Sequence, residues 1–187
     1  MTQAMRSLEA AFLIGVEGAT EIWLVRHADC YDGMVDGPDP ALSALGRTQA
    51  RKLAERVKRV APAAVYASPA RRAVETARLI LKNVKTDPRL VEMTFEIGAE
   101  GQVIFTESPA DVVSRVTAVI DEIVHAHPGK LVVVVGHAGA ILNYVTDVMR
   151  LEPGTLRLLP YFTSVSVVRA LGDRRMVGAL CDTSHLA

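Results

Sequence analysis

Arginine and histidine side chains follow three apolar segments of the sequence, at the points where those segments end. Arg26 and His27 come directly after "IWLV", and His137 comes directly after "LVVVVG". Arg71 and Arg72 lie shortly after a third apolar run, "AAVYA". The formal net charge of the chain is zero, so it has no long-range field that attracts anions. These residues therefore indicate a local anion site.

A phosphoryl group is the anion that fits this set of side chains best. The arginine guanidinium is planar, stays charged and matches phosphate oxygens with two parallel hydrogen bonds. Histidine adds a nitrogen that is neutral near pH 7 and can attack phosphorus, carrying the group covalently. A leaving alkoxide must be protonated, so we expect a carboxyl group nearby. A helix beginning at Ala138 would add backbone N–H groups that favour the same anion.

The segments that must position these residues alternate between strands and helices. Apolar runs rich in β-branched residues predict strands, and apolar residues at helical spacing after serine caps predict helices. The predicted strands are 21–25, 63–67, 101–105 and 130–137, with a terminal hairpin of 163–171 and 175–180. The predicted helices are 44–59 after Ser43, Ser68 to about residue 82, 110–126 after Ser108 and Pro109, and 138–149.

This order predicts an α/β fold with three layers, α/β/α, and a largely parallel sheet that has an antiparallel edge. Ligands of such sheets bind beyond the carboxyl ends of the strands, which is where the arginines and histidines should meet. At 187 residues the chain is too short for two ordinary domains. We expect one domain over residues 21–187 and an N-terminal arm over residues 1–20.

Composition and charge exclude several classes of partner. Zero net charge argues against nucleic acid and against an anionic membrane surface. No apolar segment approaches the roughly 20 residues of a membrane span, and Glu9 interrupts the only signal-like run. The two cysteines, Cys30 and Cys181, have no paired spacing, which favours a reduced, cytoplasmic location. The N-terminal arm suggests a homodimer.

Five motifs now support a more specific interpretation: "LVRHAD" at 24–29, "LSALGRTQA" at 42–50, "SPARRAVETA" at 68–77, "RLVEMTF" at 89–95 and "VVVVGHAGAI" at 132–141. In this order and at these spacings they resemble the branch 1 type of the histidine phosphatase superfamily, also called the phosphoglycerate mutase-like family. The resemblance extends over about residues 21–186, nearly the whole chain. It implies the phosphoglycerate mutase-like fold, with no metal and no cofactor.

The resemblance also implies a role for each matching residue. His27 would be the nucleophile that becomes phosphohistidine, and Arg26 would hold the phosphoryl oxygens beside it. The family pattern of arginine, alanine and a later threonine selects Arg72 as the second clamp. His137 would stabilise charge on the transferring oxygens. Glu92 aligns with the acid that protonates the leaving group.

Several carboxylates compete for the role of acid. Asp29, Glu96 and Glu100 lie near Glu92 or His27 in the sequence and could reach the site. Arg71 is expected to be a solvent-facing neighbour of the second clamp.

The chain departs from the family pattern after the proposed nucleophile. Ala28 and Asp29 replace the usual glycine and glutamate, and we expect these positions to influence substrate preference. Gly33 stands where the mutases have an asparagine. The segment between Glu92 and the helix near residue 109 is shorter than the mutases' large insert, which favours hydrolysis.

We therefore predict a metal-independent phosphomonoester hydrolase whose substrate is a small-molecule phosphomonoester or a phosphoprotein. The alternatives are a phosphoglycerate mutase-type isomerase and a non-catalytic phospho-ligand-binding protein. The aspartates at 29, 32, 36 and 39 do not have the ligand spacing of a calcium loop, so no metal is expected there. These aspartates are expected to lie in a solvated loop; if that loop borders the site, Asp32 and Asp36 are expected to disfavour bisphosphates.

Overall fold

The structure is a computed structural model, and it describes residues 2–31 and 39–187. Asp32, Gly33 and Asp36, on which the sequence raised expectations, lie outside the described residues. In chain order the helices and strands are α1 (Gln3–Ala11), β1 (Thr20–Arg26), α2 (Ala44–Lys58), β2 (Ala64–Ala67), α3 (Arg71–Ile80), β3 (Val84–Thr86), β4 (Phe95–Ile97), β5 (Val103–Phe105), α4 (Pro109–Ala126), β6 (Leu131–Gly136), α5 (Ala138–Val148), β7 (Val165–Leu171) and β8 (Arg174–Asp182).

Six of the strands form one sheet in the order β3-β2-β6-β1-β7-β8. The first four strands run parallel, β7 is antiparallel to β1, and β8 is antiparallel to β7. The remaining strands, β4 and β5, pair with each other as a separate hairpin. The predicted sheet, largely parallel with an antiparallel edge, is confirmed.

Helices cover the sheet on both faces because side chains alternate along the buried strands. In β1, Ile22 and Leu24 pack into a core formed with α4 and α5, whereas Trp23 and Val25 pack into a second core with α2 and α3. The four consecutive valines of β6 divide between these two cores in the same way. The uninterrupted valine run is therefore needed to fill both sides of a central parallel strand.

Two of the three predicted serine caps are confirmed. Ser43 Oγ accepts a hydrogen bond from the backbone N–H of Gly46 at the start of α2, and Ser108 Oγ accepts one from Asp111 at the start of α4. The prediction for Ser68 is wrong, because α3 begins only at Arg71. The Ser68 backbone N–H instead donates to the carbonyl of Val135 and continues the pairing of β2 with β6.

The sequence pattern missed two short strands, β3 and β4. Each has only three residues, with few buried side chains, so neither shows the alternation that marks a longer strand. The hairpin of β4 and β5 presents its apolar side chains to solvent.

The N-terminal arm packs on the domain through a few contacts. Helix α1 has no buried residue, but Leu13 after it is only 1% exposed. Arg174 also donates a hydrogen bond to the carbonyl oxygen of Ala11. In the part of the chain that the structure describes, no helix has both the length and the apolar character required to cross a membrane.

The start of α2 lies against the chain that leaves β1. The Asp29 carboxylate accepts a hydrogen bond from Ser43 Oγ at 2.6 Å, and the Asp29 N–H donates to Gln49 at 2.9 Å. Gly46 is so close that a Cβ atom built on it would lie 1.9 Å from the carbonyl oxygen of Asp29. The atom in the way belongs to the Asp29 backbone and cannot rotate aside as a side chain could. A glycine at residue 46 is therefore needed for α2 to lie this close to the segment after β1.

Gly46→Ala should therefore destabilise the protein, although alanine is the better helix former. Helix propensity alone would stabilise the folded protein by about 1 kcal/mol. The clash with Asp29 outweighs this gain, so we expect a net loss of about 1–3 kcal/mol in the free energy of unfolding. The free energy of unfolding in urea measures the change. Thr48→Ala, at an exposed position of the same helix, is the matched control and should change stability by less than about 0.5 kcal/mol. A stabilised Gly46→Ala protein would contradict the close approach.

Candidate active site

The carboxyl ends of β1, β2 and β6 lie side by side at one edge of the sheet. Arg26 of β1 is in register with Gly136 of β6, and the His27 N–H donates to the Gly136 carbonyl at 2.9 Å. The Ser68 N–H donates to the Val135 carbonyl at 2.9 Å. His27, Ser68 and His137 are thus the residues that immediately follow three neighbouring strands.

His27 is held in one tautomer by its own backbone neighbour. The imidazole is 5% exposed, and its Nδ1 lies 2.8 Å from the carbonyl oxygen of Ala28. A carbonyl can only accept, so Nδ1 carries the proton and Nε2 is unprotonated and can accept a hydrogen bond. Arg72 Nε donates to this Nε2 at 3.3 Å. The basic nitrogen of His27 therefore faces a guanidinium.

Arg72 also links the two histidines. Its Nη2 lies 3.3 Å from Nδ1 of His137, and the His27 and His137 ring centroids are 5.2 Å apart. Because arginine can only donate, Nδ1 of His137 accepts and Nε2 carries the proton. That Nε2 donates to Ser68 Oγ at 2.9 Å. A neighbouring carboxylate, Asp39, accepts from Arg72 Nη1 at 3.4 Å.

Arg26, the residue before His27, is fixed by the segment before β7. Its Nη1 donates to the carbonyl of Pro160 at 2.8 Å, and its guanidinium carbon lies 4.0 Å from the ring centroid of Phe162. Its Nε is buried and has no hydrogen-bond partner among the residues that the structure describes. A bound anion could supply that partner.

Glu92 caps the helix that follows His137. Its carboxylate accepts hydrogen bonds from the backbone N–H groups of Met93, Gly139 and Ala140, at 2.8, 3.1 and 3.0 Å. The helix beginning at Ala138 was expected to offer its N–H groups to the anion. For Gly139 and Ala140 this prediction is wrong, because Glu92 occupies both groups.

The structure separates the other candidate carboxylates from this cluster. The Asp29 carboxylate accepts a hydrogen bond from Ser43 Oγ at the start of α2, which favours a structural role for this side chain over that of the acid. Glu96 and Glu100 are exposed on the β4–β5 hairpin and at its turn. Arg71 is exposed and pairs with Glu75, as expected of a neighbour rather than a clamp.

Burial makes both imidazoles of the cluster poor bases. Burial lowers the pKa of His27 to about 3, with smaller contributions from the charges of Arg72 and Arg26. Burial also lowers the pKa of His137 to about 2, assisted by His27, Arg72 and Arg26. Both rings are therefore neutral at pH 7, and the positive charge of the site resides on the two arginines.

The described residues, 2–31 and 39–187, contain no group of three or more histidine, cysteine, aspartate or glutamate side chains that could hold a metal ion.

Two residues of the cluster were not found from the sequence. Ser68 was visible at a strand end but was interpreted as a helix cap. Phe162, which lies under Arg26 and 5.8 Å from the ring centroid of His27, belongs to an irregular segment that carries no pattern. Its proximity to β1 could have been inferred only by placing β7 beside β1.

Solved structures similar to this chain include phosphatases and a mutase. A phosphoserine phosphatase from Entamoeba histolytica, in complex with 3-phosphoglyceric acid, is 20% identical with a TM-score of 0.75, covering 90% of this chain and 100% of that one. A mycobacterial glucosyl-3-phosphoglycerate phosphatase is 22% identical with a TM-score of 0.70, covering 85% and 97%. A phosphoglycerate mutase from Bacillus anthracis is 18% identical with a TM-score of 0.74, covering 91% and 96%.

At these identities the likeness establishes the fold, and it confirms the phosphoglycerate mutase-like architecture. A search of curated proteins found no match. A family model described as "Histidine phosphatase superfamily (branch 1)" matches residues 22–103 and 98–183, which together include all five motifs and the residues around His27. The chain therefore belongs to branch 1 of the histidine phosphatase superfamily.

Proposed function

We propose that this protein is a metal-independent phosphomonoester hydrolase that acts through a phosphohistidine formed on His27. The observation that carries the proposal is the state of His27 Nε2. Nε2 is unprotonated because Nδ1 carries the proton toward the Ala28 carbonyl, and it accepts a hydrogen bond from Arg72 Nε at 3.3 Å. Membership of the family and the phosphatases and mutase of similar fold support phosphoryl transfer in general.

In the first step, Nε2 of His27 attacks phosphorus and the bond from phosphorus to the ester oxygen breaks. Arg26 and Arg72 hold the phosphoryl oxygens, and His137 lies beside them to stabilise their charge. Glu92, which lies at the helix end next to His137, donates a proton to the leaving alkoxide. The products are a free alcohol and phosphohistidine.

In the second step, water attacks the phosphorus of phosphohistidine and the bond from nitrogen to phosphorus breaks. Glu92, now ionised, takes a proton from the water, so one carboxyl group serves as acid and then as base. Inorganic phosphate leaves and His27 returns to its starting tautomer. No metal is required, because the two arginines neutralise the transferring group.

The short segment after Glu92 supports hydrolysis over return of the phosphoryl group to another substrate oxygen. Between Glu92 and α4 the chain contains only the three-residue strands β4 and β5 with their connections. A coupled assay for phosphoglycerate mutase activity tests the isomerase alternative. We propose a small-molecule phosphomonoester or a phosphoprotein as the substrate, since phosphoserine and a glycosylated phosphoglycerate are named for phosphatases of similar fold.

His27→Ala should abolish turnover and covalent labelling together. Without the imidazole no phosphohistidine can form, so both hydrolysis of p-nitrophenyl phosphate and acid-labile phosphate on the protein should fall below detection. His125→Ala, at an exposed position of α4, is the control and should retain both signals. Hydrolysis by the His27→Ala protein would contradict the mechanism. Phosphate binding by a wild-type protein that hydrolyses no member of a broad ester panel would favour the non-catalytic alternative.

Glu92→Gln should slow the hydrolysis of alkyl phosphates more than that of aryl phosphates. An alkoxide needs protonation as it leaves, whereas p-nitrophenolate does not, so kcat/KM for glycerol phosphate should fall about 100-fold or more and that for p-nitrophenyl phosphate much less. Glutamine retains an oxygen that can accept from Gly139 or Ala140, which preserves much of the helix cap. Equal losses on both esters would assign Glu92 a structural role only.

The buried neutral histidines should also make the protein sensitive to mild acid. The folded pKa of His27, about 3, lies below its unfolded value near 6.5, so the unfolded state binds more protons between these limits. The contribution of neutral His27 to the free energy of unfolding is complete above about pH 6.5 and is lost as the pH falls toward 3.

His27→Asn should therefore reduce the stability lost between pH 7 and pH 5 by about 2 kcal/mol, measured by urea unfolding at both values. His125→Asn is the control and should lose as much stability as the wild type. An unchanged loss in the His27→Asn protein would show that His27 is not held neutral by burial.

A further inference from the structure

A series of aromatic rings leads away from His27. The ring centroid of Phe162 lies 5.8 Å from that of His27, and the Tyr31 and Tyr161 centroids lie 5.8 Å and 5.7 Å from that of Phe162. Both tyrosines meet Phe162 edge to face, at interplanar angles of 64° and 63°. Two rings on separate segments of the chain therefore flank the ring that supports Arg26.

The two tyrosines differ from Phe162 in their exposure. Phe162 is half-buried beneath the Arg26 guanidinium, whereas Tyr31 is 72% exposed and Tyr161 is 53% exposed. Phe162 connects Tyr31 to Arg26, because its ring lies 4.0 Å from the Arg26 guanidinium carbon and 5.8 Å, centroid to centroid, from the Tyr31 ring. The tyrosines thus present ring surface to solvent at the border of the candidate active site.

We expect the leaving group of a bound ester to extend toward this border. Attack by His27 Nε2 proceeds in line, so the leaving oxygen lies on the far side of phosphorus from the buried imidazole. Arg72 contacts both His27 and the buried His137, so we expect the rest of the substrate to lie on the exposed side of the cluster, where the described residues include Tyr31 and Tyr161. The phosphoryl chemistry itself uses neither tyrosine.

We infer that Tyr31 and Tyr161 form a binding surface for an aromatic leaving group, so that this protein prefers phosphomonoesters in which a flat ring lies one or two bonds from the ester oxygen. The inference rests on the proposed hydrolase function and adds a substrate class to it. A flat ring can stack on, or meet edge to face, an exposed tyrosine ring, whereas a saturated ring of the same size gains only apolar contact.

Benzyl phosphate and cyclohexylmethyl phosphate form a matched pair for the test. Both esters release a primary alkoxide, so their intrinsic chemistry is closely similar and the ring alone distinguishes them. We expect wild-type kcat/KM to be about three- to tenfold higher for benzyl phosphate, the range that one or two aromatic pairs supply. Methyl phosphate, which has no ring, is measured beside them.

The variants assign the preference to the tyrosine rings. In a Tyr31→Leu, Tyr161→Leu double variant the ratio of the two kcat/KM values should fall to about one, through a higher KM for benzyl phosphate. Tyr31→Phe and Tyr161→Phe keep the rings and should keep the preference. Phe12→Leu is the matched control, because Phe12 is an aromatic residue of comparable exposure, 51%, on the N-terminal arm.

Each outcome bears on a different part of the proposal. A benzyl preference that disappears in the double variant and survives in Phe12→Leu supports the inference. The inference is overturned if the wild type hydrolyses benzyl and cyclohexylmethyl phosphate with equal efficiency, or if the preference survives in the double variant. In either case, hydrolysis of methyl phosphate would still support the hydrolase function. If none of the three esters is hydrolysed and none phosphorylates His27, the function and the inference both fall.

Discussion

The parallel register of β1, β2 and β6 is the constraint on which the candidate site depends. Each strand ends at the same edge, and the backbone hydrogen bonds from His27 to Gly136 and from Ser68 to Val135 continue the pairing one residue further. Those bonds fix the backbone positions of His27 and Ser68 beside the end of β6, which His137 follows. Side chains from three distant parts of the chain then contact one another without any flexible loop having to position them.

Around that edge the protein combines two permanent positive charges with two neutral rings. Burial keeps His27 and His137 unprotonated, and the nearby Arg26 and Arg72 reinforce this, since a third positive charge would be repelled. The same arrangement suits a phosphoryl group, whose negative oxygens can pair with Arg26 and Arg72, and Asp39 already lies 3.4 Å from Arg72 as a partial countercharge. Burial beside the two arginines therefore leaves Nε2 of His27 unprotonated at pH 7.

Glu92 joins the site to the helix behind it. By accepting from Gly139 and Ala140 it occupies N–H groups that would otherwise be available to an anion, and it fixes the start of α5 directly after His137. Gly139 allows this approach, since a Cβ atom there would lie 2.7 Å from the carboxylate. Glu92 therefore has a structural role, because its hydrogen bonds fix the first turn of α5.

From the sequence alone, the valine run of β6, the serine caps at Ser43 and Ser108 and the alternation of strands and helices determined the layers of the fold, because hydrophobic periodicity and capping are local properties. The strand-end positions of Arg26, His27 and His137 also followed, since parallel strands of such a sheet end at one edge. Tertiary structure alone decided that Ser68 bonds to His137 rather than capping a helix, that Glu92 takes the first N–H groups of α5, and that Phe162 supports Arg26. Those contacts join residues far apart in sequence through side-chain direction and strand order, which no local pattern encodes.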